Sequence, residues 1–149
     1  MRILFVCHGN ICRSPMAEFI FKNMVAQRGL ADDFVIESAA TSTEEIGNDI
    51  YRPAKRCLDA RGVPYEKRAA RQLRASDVDV WDMFIGMDRA NVRNMSRILG
   101  GGDKVHLMLE FADGDVAAEV ADPWYTGDFE RTYADIERGC RGLLDYLGY

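Results

Sequence analysis

Ile3-Leu4-Phe5-Val6-Cys7-His8-Gly9-Asn10-Ile11-Cys12-Arg13 carries four apolar residues into a short loop bounded by a cysteine and an arginine. A helix-patterned segment follows from Ser14. The apolar run has the length and composition of a buried parallel strand, so the unit reads as strand, loop and helix. Gly9 and Asn10 both tolerate positive φ and permit a tight loop. In such a unit, inward-turned backbone N–H groups and the positive end of the new helix converge on one point, which suits an anion. A strand ending at Val6 delivers the Cys7 sulfur to the floor of that loop. The Arg13 fork can hold two oxygens of a phosphoryl group at once, a geometry lysine does not reproduce. The pattern C-x5-R therefore predicts a phosphate trap formed by His8, Gly9, Asn10, Ile11, Cys12, Arg13 and Ser14.

The field that attracts phosphate also favours a thiolate on Cys7, making it a candidate nucleophile. The plain alternative is a buried structural cysteine beside a surface arginine. The flanking strand and helix are the context that separates the two readings. Ser14 has two readings as well, a hydrogen-bond donor to the Cys7 sulfur or an ordinary helix N-cap.

Val6-Cys7-His8-Gly9-Asn10-Ile11-Cys12-Arg13-Ser14-Pro15-Met16-Ala17-Glu18 resembles the signature of the low molecular weight protein tyrosine phosphatases. Ser-Ala-Ala-Thr-Ser (38–42), Ala-Arg-Gln-Leu (70–73), Met-Asp-Arg-Ala-Asn (87–91) and Asp-Pro-Trp-Tyr (122–125) follow in the family's order, so the resemblance spans essentially the whole chain. It implies that Asp122 is the general acid, that Asn10 and Ser38 brace the loop, and that Cys12 protects Cys7 through a reversible disulfide. The chemistry independently asks for an acid, because a departing phenolate must be protonated. Asp122 alone, before Pro123, would otherwise read as a turn opener. Trp124 and Tyr125 would form an aromatic wall for a phenyl ring.

The resemblance has two departures. Where many relatives carry an aromatic on the opposing loop, this chain continues into Glu44-Glu45, which makes Glu44 a candidate substrate contact. A histidine that supports the loop in the family aligns with Arg68.

At 149 residues and 48% hydrophobic composition, the chain suits one domain, 1–149, with a single substantial core. The N-terminal apolar run is too short for a secretory signal, and no stretch approaches the ~20 residues needed to span a bilayer, so the expected location is cytoplasmic, without membrane attachment. Cysteines 7, 12, 57 and 140 lack zinc-ligand spacing and do not form a disulfide framework. Neither a metal nor a cofactor is expected. A net charge of −5 disfavours nucleic acid as a partner. Basic residues nevertheless crowd positions 52–74 and acidic ones positions 110–137; the basic stretch reads as a solvated face, or as a surface favouring acidic sequence around a phosphorylated residue.

Short apolar runs at Ile3–Val6, Phe34–Ser38, Met83–Met87 and Val105–Leu109 alternate with helical segments at Met16–Arg28, Ala54–Arg61, Ala90–Leu99 and Phe129–Leu147. Gly29, Gly62 and Gly100 stand where left-handed helix ends are expected. The order predicts an α/β, three-layer, flavodoxin-like or Rossmann-like domain: a four-stranded parallel sheet with helices on both faces and ligand at the carboxyl ends of the strands. Cys57 and Cys140 are expected to pack in helices, His106 to be a core or edge histidine, and His8 to matter through its backbone more than its ring.

The implied activity is cofactor-free hydrolysis of phosphotyrosine in proteins through a phosphocysteine, with inorganic phosphate and related oxyanions as inhibitors. Arsenate reduction on the same loop would need further redox cysteines, and residues 78–90 contain none. Phosphoarginine hydrolysis goes, in relatives, with threonine where this chain has Ile11. A catalytically silent phosphopeptide-binding module would not need both Cys7 and Asp122.

Overall fold

A computed structural model describes residues 1–113 and 117–149. Residues 114–116 of the acidic stretch lie outside them. The elements are β1 (Arg2–Cys7), α1 (Arg13–Gln27), β2 (Val35–Ala40), α2 (Arg52–Ala60), β3 (Met83–Gly86), α3 (Arg89–Leu99), β4 (Val105–Leu107), α4 (Glu110–Asp113), α5 (Pro123–Thr126) and α6 (Phe129–Tyr146). The sheet is parallel throughout, in the order β2-β1-β3-β4. No helix among the described residues is long and apolar enough to cross a membrane.

The period of two along β1 divides the core. Ile3, Phe5 and Cys7 face one apolar layer with Met16, Phe21, Leu58, Ile136 and Leu143 from α1, α2 and α6. Leu4 and Val6 face the other, with Leu73, Trp81, Met95 and Leu99. Met83 and Ile85 of β3 join the first layer and Phe84 the second, so both central strands are covered on both faces. Strand order places β1 next to β3, where the winding direction reverses, and Cys7 is the last residue of β1.

The expected elements are present with shifted ends. Helix α1 begins three residues before Met16 and makes Arg13 its first helical residue. Strand β4 stops at Leu107, whose N–H donates to Glu110 Oε1 at 2.6 Å as the chain turns into α4. Gly29, Gly62 and Gly100 all have left-handed φ of 68–77°. Cys57 and Cys140 are buried in α2 and α6. His106 is half-buried in the edge strand β4, beside Glu110 and the Phe111 ring.

Candidate active site

Because β1 ends at Cys7 and α1 starts at Arg13, residues 8–12 must turn within a single loop. Asn10 absorbs the turn at φ 58°, the one positive φ outside glycine among the described residues. Its fully buried side chain holds the shape: Nδ2 donates to Ser14 Oγ (2.8 Å) and Ser38 Oγ (2.9 Å), and Oδ1 accepts from the Arg71 N–H (3.3 Å). Ser38 Oγ donates in turn to Glu18 Oε1 at 2.6 Å, and Glu18 is closed off by Lys22. Arg68 Nη2 donates to the Asn10 carbonyl at 2.6 Å and so braces the loop.

Cys7 Sγ sits on the floor, 3.3 Å from the Asn10 N–H and 3.1 Å from Ser14 Oγ. As a thiol it donates to Ser14. The Ser14 hydroxyl itself donates to the Ala39 carbonyl only over a long 3.4 Å contact, so its proton can turn to the sulfur once Cys7 ionises. Ser14 lies inside the first turn of α1, and the N-cap position is Cys12, which caps nothing with its side chain. This overturns the N-cap reading of Ser14: its hydroxyl is turned to the sulfur. The N–H groups of Gly9, Ile11 and Cys12 have no protein acceptor among the described residues. Unpaired donors around a buried sulfur are what an oxyanion would satisfy.

Arg13 is almost fully buried and held by acidic partners. Its Nη1 donates to Asp88 Oδ2 (2.8 Å) and the Val120 carbonyl (2.9 Å), and its Nη2 reaches Asp122 Oδ2 at 3.4 Å. Burial pulls the guanidinium pKa down, but Cys7, Asp88 and Asp122 more than offset that, and the net shift is upward. Asp122 caps α5, accepting from the Trp124 N–H at 3.0 Å, while Pro123 takes the first helical position.

One pocket gathers Cys7, His8, Gly9, Ile11, Cys12, Arg13, Glu44, Asp122, Trp124 and Tyr125 from the expected set, and adds Glu45. Asn10, Ser14 and Ser38 lie behind this lining as supports. The His8 ring, with Nε2 3.0 Å from Glu44 Oε2, forms part of the rim. Trp124 is half exposed and Tyr125 mostly exposed. Tyr51 packs against Trp124 with ring centroids 4.8 Å apart.

Residues 2–148 match the model of the family described as low molecular weight phosphotyrosine protein phosphatase. The chain belongs to that family. It is 37% identical over 144 residues to the low molecular weight protein-tyrosine-phosphatase YfkJ of Bacillus subtilis, covering 95% of this chain and 92% of that protein. The crystal structure of YfkJ superposes with a TM-score of 0.94 at 35% identity, covering 99% of this chain and 94% of that one. The human low molecular weight phosphotyrosine protein phosphatase is 34% identical over 149 residues, 96% and 93% of the two chains. A Drosophila arginine phosphatase also superposes, with a TM-score of 0.90 at 26% identity over 100% and 99% of the two chains. This protein is thus a cysteine-based phosphatase of the low molecular weight family.

In this phosphatase Cys12 is a deeply buried thiol, its pKa pushed up to about 12 by burial first and then by the charges of Cys7 and Asp122, with Arg13 acting the other way. The basic stretch is only in part a solvated face: the Arg68 guanidinium donates to the Asn10 carbonyl, the Arg71 guanidinium pairs with buried Asp77, and Lys55 and Arg61 pair with Asp49 and Glu130. Sequence reasoning missed Asp88, Glu18, Tyr51 and Glu45. Asp88 stands inside Met-Asp-Arg-Ala-Asn (87–91) and Glu18 ends the 6–18 stretch, and Asp88 with Asn91 forms a D-x-x-N capping pattern. Tyr51 carries no local signal; its ring meets Trp124 only through the tertiary fold.

Proposed function

We propose that this phosphatase hydrolyses phosphotyrosine in proteins through a phosphocysteine intermediate. The carrying observation is one pocket that brings together the Cys7 sulfur, unpaired loop N–H groups, Arg13, Asp122, Trp124 and Tyr125. The Cys7 thiolate attacks phosphorus in line, forming the S–P bond as the P–O bond to the phenol breaks. Loop N–H groups and Arg13 stabilise charge on the equatorial oxygens. Asp122, as carboxylic acid, gives its proton to the departing phenolate. As carboxylate it then takes a proton from water, whose oxygen attacks phosphorus; phosphate leaves, and Ser14 donates to the regenerated thiolate. Inorganic phosphate and vanadate occupy the same cradle as inhibitors.

Cys12 serves a protective step. Peroxide converts the Cys7 thiolate to a sulfenic acid, and the Cys12 thiol displaces its hydroxyl as water, leaving a disulfide that a dithiol reduces.

The likeness to an arginine phosphatase raises phosphoarginine as a second substrate class. Ile11, buried at the pocket, offers a phenyl ring an apolar surface and a guanidinium no acceptor. Initial rates on matched phosphotyrosine and phosphoarginine peptides, in EDTA, test the reading. Phosphotyrosine is expected to be favoured by 100-fold or more, roughly the discrimination a site mismatched to a polar group achieves; equal or reversed rates would reject it.

A further inference from the structure

The turn that carries Asp122 is lightly fastened. Helix α5 is a single turn and closes on Gly127, whose φ is 71°. Among the described residues the backbone hydrogen bonds of 122–127 close within the turn itself: the Tyr125 and Thr126 N–H groups donate to the Asp122 carbonyl, and the Gly127 N–H donates to the Pro123 carbonyl. The Asp122 carboxylate is oriented from inside the same turn by the Trp124 N–H at 3.0 Å, and it meets Arg13 only over 3.4 Å. Of the side chains, Pro123 is buried, and the half-exposed Trp124 ring lies against Tyr51 with centroids 4.8 Å apart and planes inclined at 50°.

Tyr51 is itself anchored to the phosphate loop. Its N–H donates to the Ile11 carbonyl at 2.9 Å, and its carbonyl accepts from the Ala54 and Lys55 N–H groups at 3.0 and 3.1 Å as the chain enters α2. Its ring also lies beside Phe129, centroids 6.1 Å apart, and Phe129 packs on the cluster of Ile11, Cys12 and Ala70. Tyr51 is outside the pocket lining, so it meets the acid turn and not the substrate. With its main chain on the phosphate loop and its ring on the acid turn, it links two parts of the site whose key residues, Arg13 and Asp122, are 109 positions apart.

We infer that Tyr51 is a positioning residue for the acid step: the stack of its ring on Trp124 docks the Asp122 turn onto the phosphate loop and so sets where the proton is delivered. The inference rests on the proposed role of Asp122 as general acid. Aromatic pairs hold preferred geometries that an aliphatic side chain does not reproduce. The Tyr51 side chain caps nothing at the start of α2, so replacing it spares the helix cap. Tyr51→Leu keeps apolar bulk and removes the ring, Tyr51→Met removes it with a flexible chain, and Tyr51→Phe keeps the ring.

The experiment measures kcat/KM on aryl phosphates of graded leaving-group pKa, together with the vanadate inhibition constant, for wild type, the three Tyr51 variants, Asp122→Asn and the double variant of Asp122→Asn with Tyr51→Leu. Rates are taken at a temperature where Tm shows every variant folded. A placed general acid supplies about 100- to 10,000-fold, and a displaced turn forfeits part of it. Tyr51→Leu and Tyr51→Met are therefore expected to slow poor leaving groups about tenfold and good ones by less than about twofold, with vanadate affinity within about twofold of wild type and Tyr51→Phe restoring the rate. The double variant should be no slower than Asp122→Asn, because residues acting as a unit are not additive. Equal slowing across the series, wild-type rates throughout, weakened vanadate binding, failure of Tyr51→Phe to restore the rate, or a further tenfold loss in the double variant would each overturn the inference. Equal slowing of good and poor leaving groups in Asp122→Asn would instead reject the acid role of Asp122, and the inference falls with it.

Discussion

Replacing Asn10 tests whether the phosphate loop is held by its side-chain network. In Asn10→Ala three hydrogen bonds vanish: to Ser14 and Ser38 as donor, and from the Arg71 N–H as acceptor. Each is worth about 1 kcal/mol net in a buried setting. Alanine must also adopt the φ of 58° that asparagine tolerates, adding about 1 kcal/mol. The expected loss is about 3–4 kcal/mol, which for a chain of this size lowers Tm by about 6–16 °C. Asn10→Gly loses the same bonds but relieves the left-handed backbone; after the greater chain entropy of glycine is counted, it should recover about 0.5–1 kcal/mol relative to alanine. Thermal unfolding of the three proteins, with kcat/KM measured at a temperature where all are folded, is the assay. Activity should fall at least tenfold in both variants, because the loop N–H groups lose their fixed directions. An Asn10→Ala protein with wild-type Tm and turnover would refute the bracing argument, and a glycine variant less stable than alanine would refute the backbone part of it.

Asp122→Asn should slow esters of poor leaving groups by about 100-fold or more and those of good leaving groups far less, since only the former need a proton; a plot of rate against leaving-group pKa reads this, and equal slowing would make Asp122 structural. Cys12→Ser should retain most basal turnover but show a much larger irreversible loss after peroxide, and oxidised wild type should contain a Cys7–Cys12 link by peptide mass mapping. Equal recovery by a dithiol, with no link, would leave Cys12 a packing residue. Asp77, buried beneath Arg71, is raised in pKa by burial, but the Arg71 side chain and the Arg74 N–H pull it further the other way, so its folded value lies below the ordinary one. A depressed carboxylate contributes stability that is present above its unfolded pKa, near 3.9, and fades as pH falls through the folded value. Asp77→Asn should therefore cost about 1–3 kcal/mol at pH 7, with the gap closing below about pH 4, as followed by denaturant unfolding across pH; a gap that stays constant with pH would contradict the assigned cause.

The centre of the site was legible because its chemistry is contiguous: Cys7, the loop and Arg13 need one strand end, one turn and one helix start, and these are neighbours in sequence. Asp122 comes from 109 residues beyond Arg13, and its place could be read only through the Asp-Pro-Trp-Tyr motif. The sheet was legible from short apolar runs, yet β4 ends at Leu107, where the chain turns toward α4 with Glu110 Oε1 accepting from the Leu107 N–H, a side-chain contact no periodicity reports. Ser14 looked like a cap because serine commonly is one; it lies within the helix because the turn starts at Arg13. Asp88, Glu18 and Tyr51 were illegible for a shared reason. Local pattern gives each a capping, surface or loop role, and only packing decides that they meet Arg13, Ser38 and Trp124. The basic stretch hid a division of the same kind, since charge count does not distinguish Arg68 and Arg71, whose guanidinium groups are engaged by the Asn10 carbonyl and buried Asp77, from exposed Arg52 and Arg56.

The central claim is that phosphorus passes through the Cys7 sulfur on its way to water. The stereochemical course at phosphorus tests this most directly, using an aryl phosphate made chiral with oxygen isotopes and an alcohol acceptor in place of water. Two in-line displacements, the first by Cys7 and the second by the acceptor, each invert the centre, so the account predicts overall retention. Net inversion would show direct attack on the substrate and contradict the phosphocysteine.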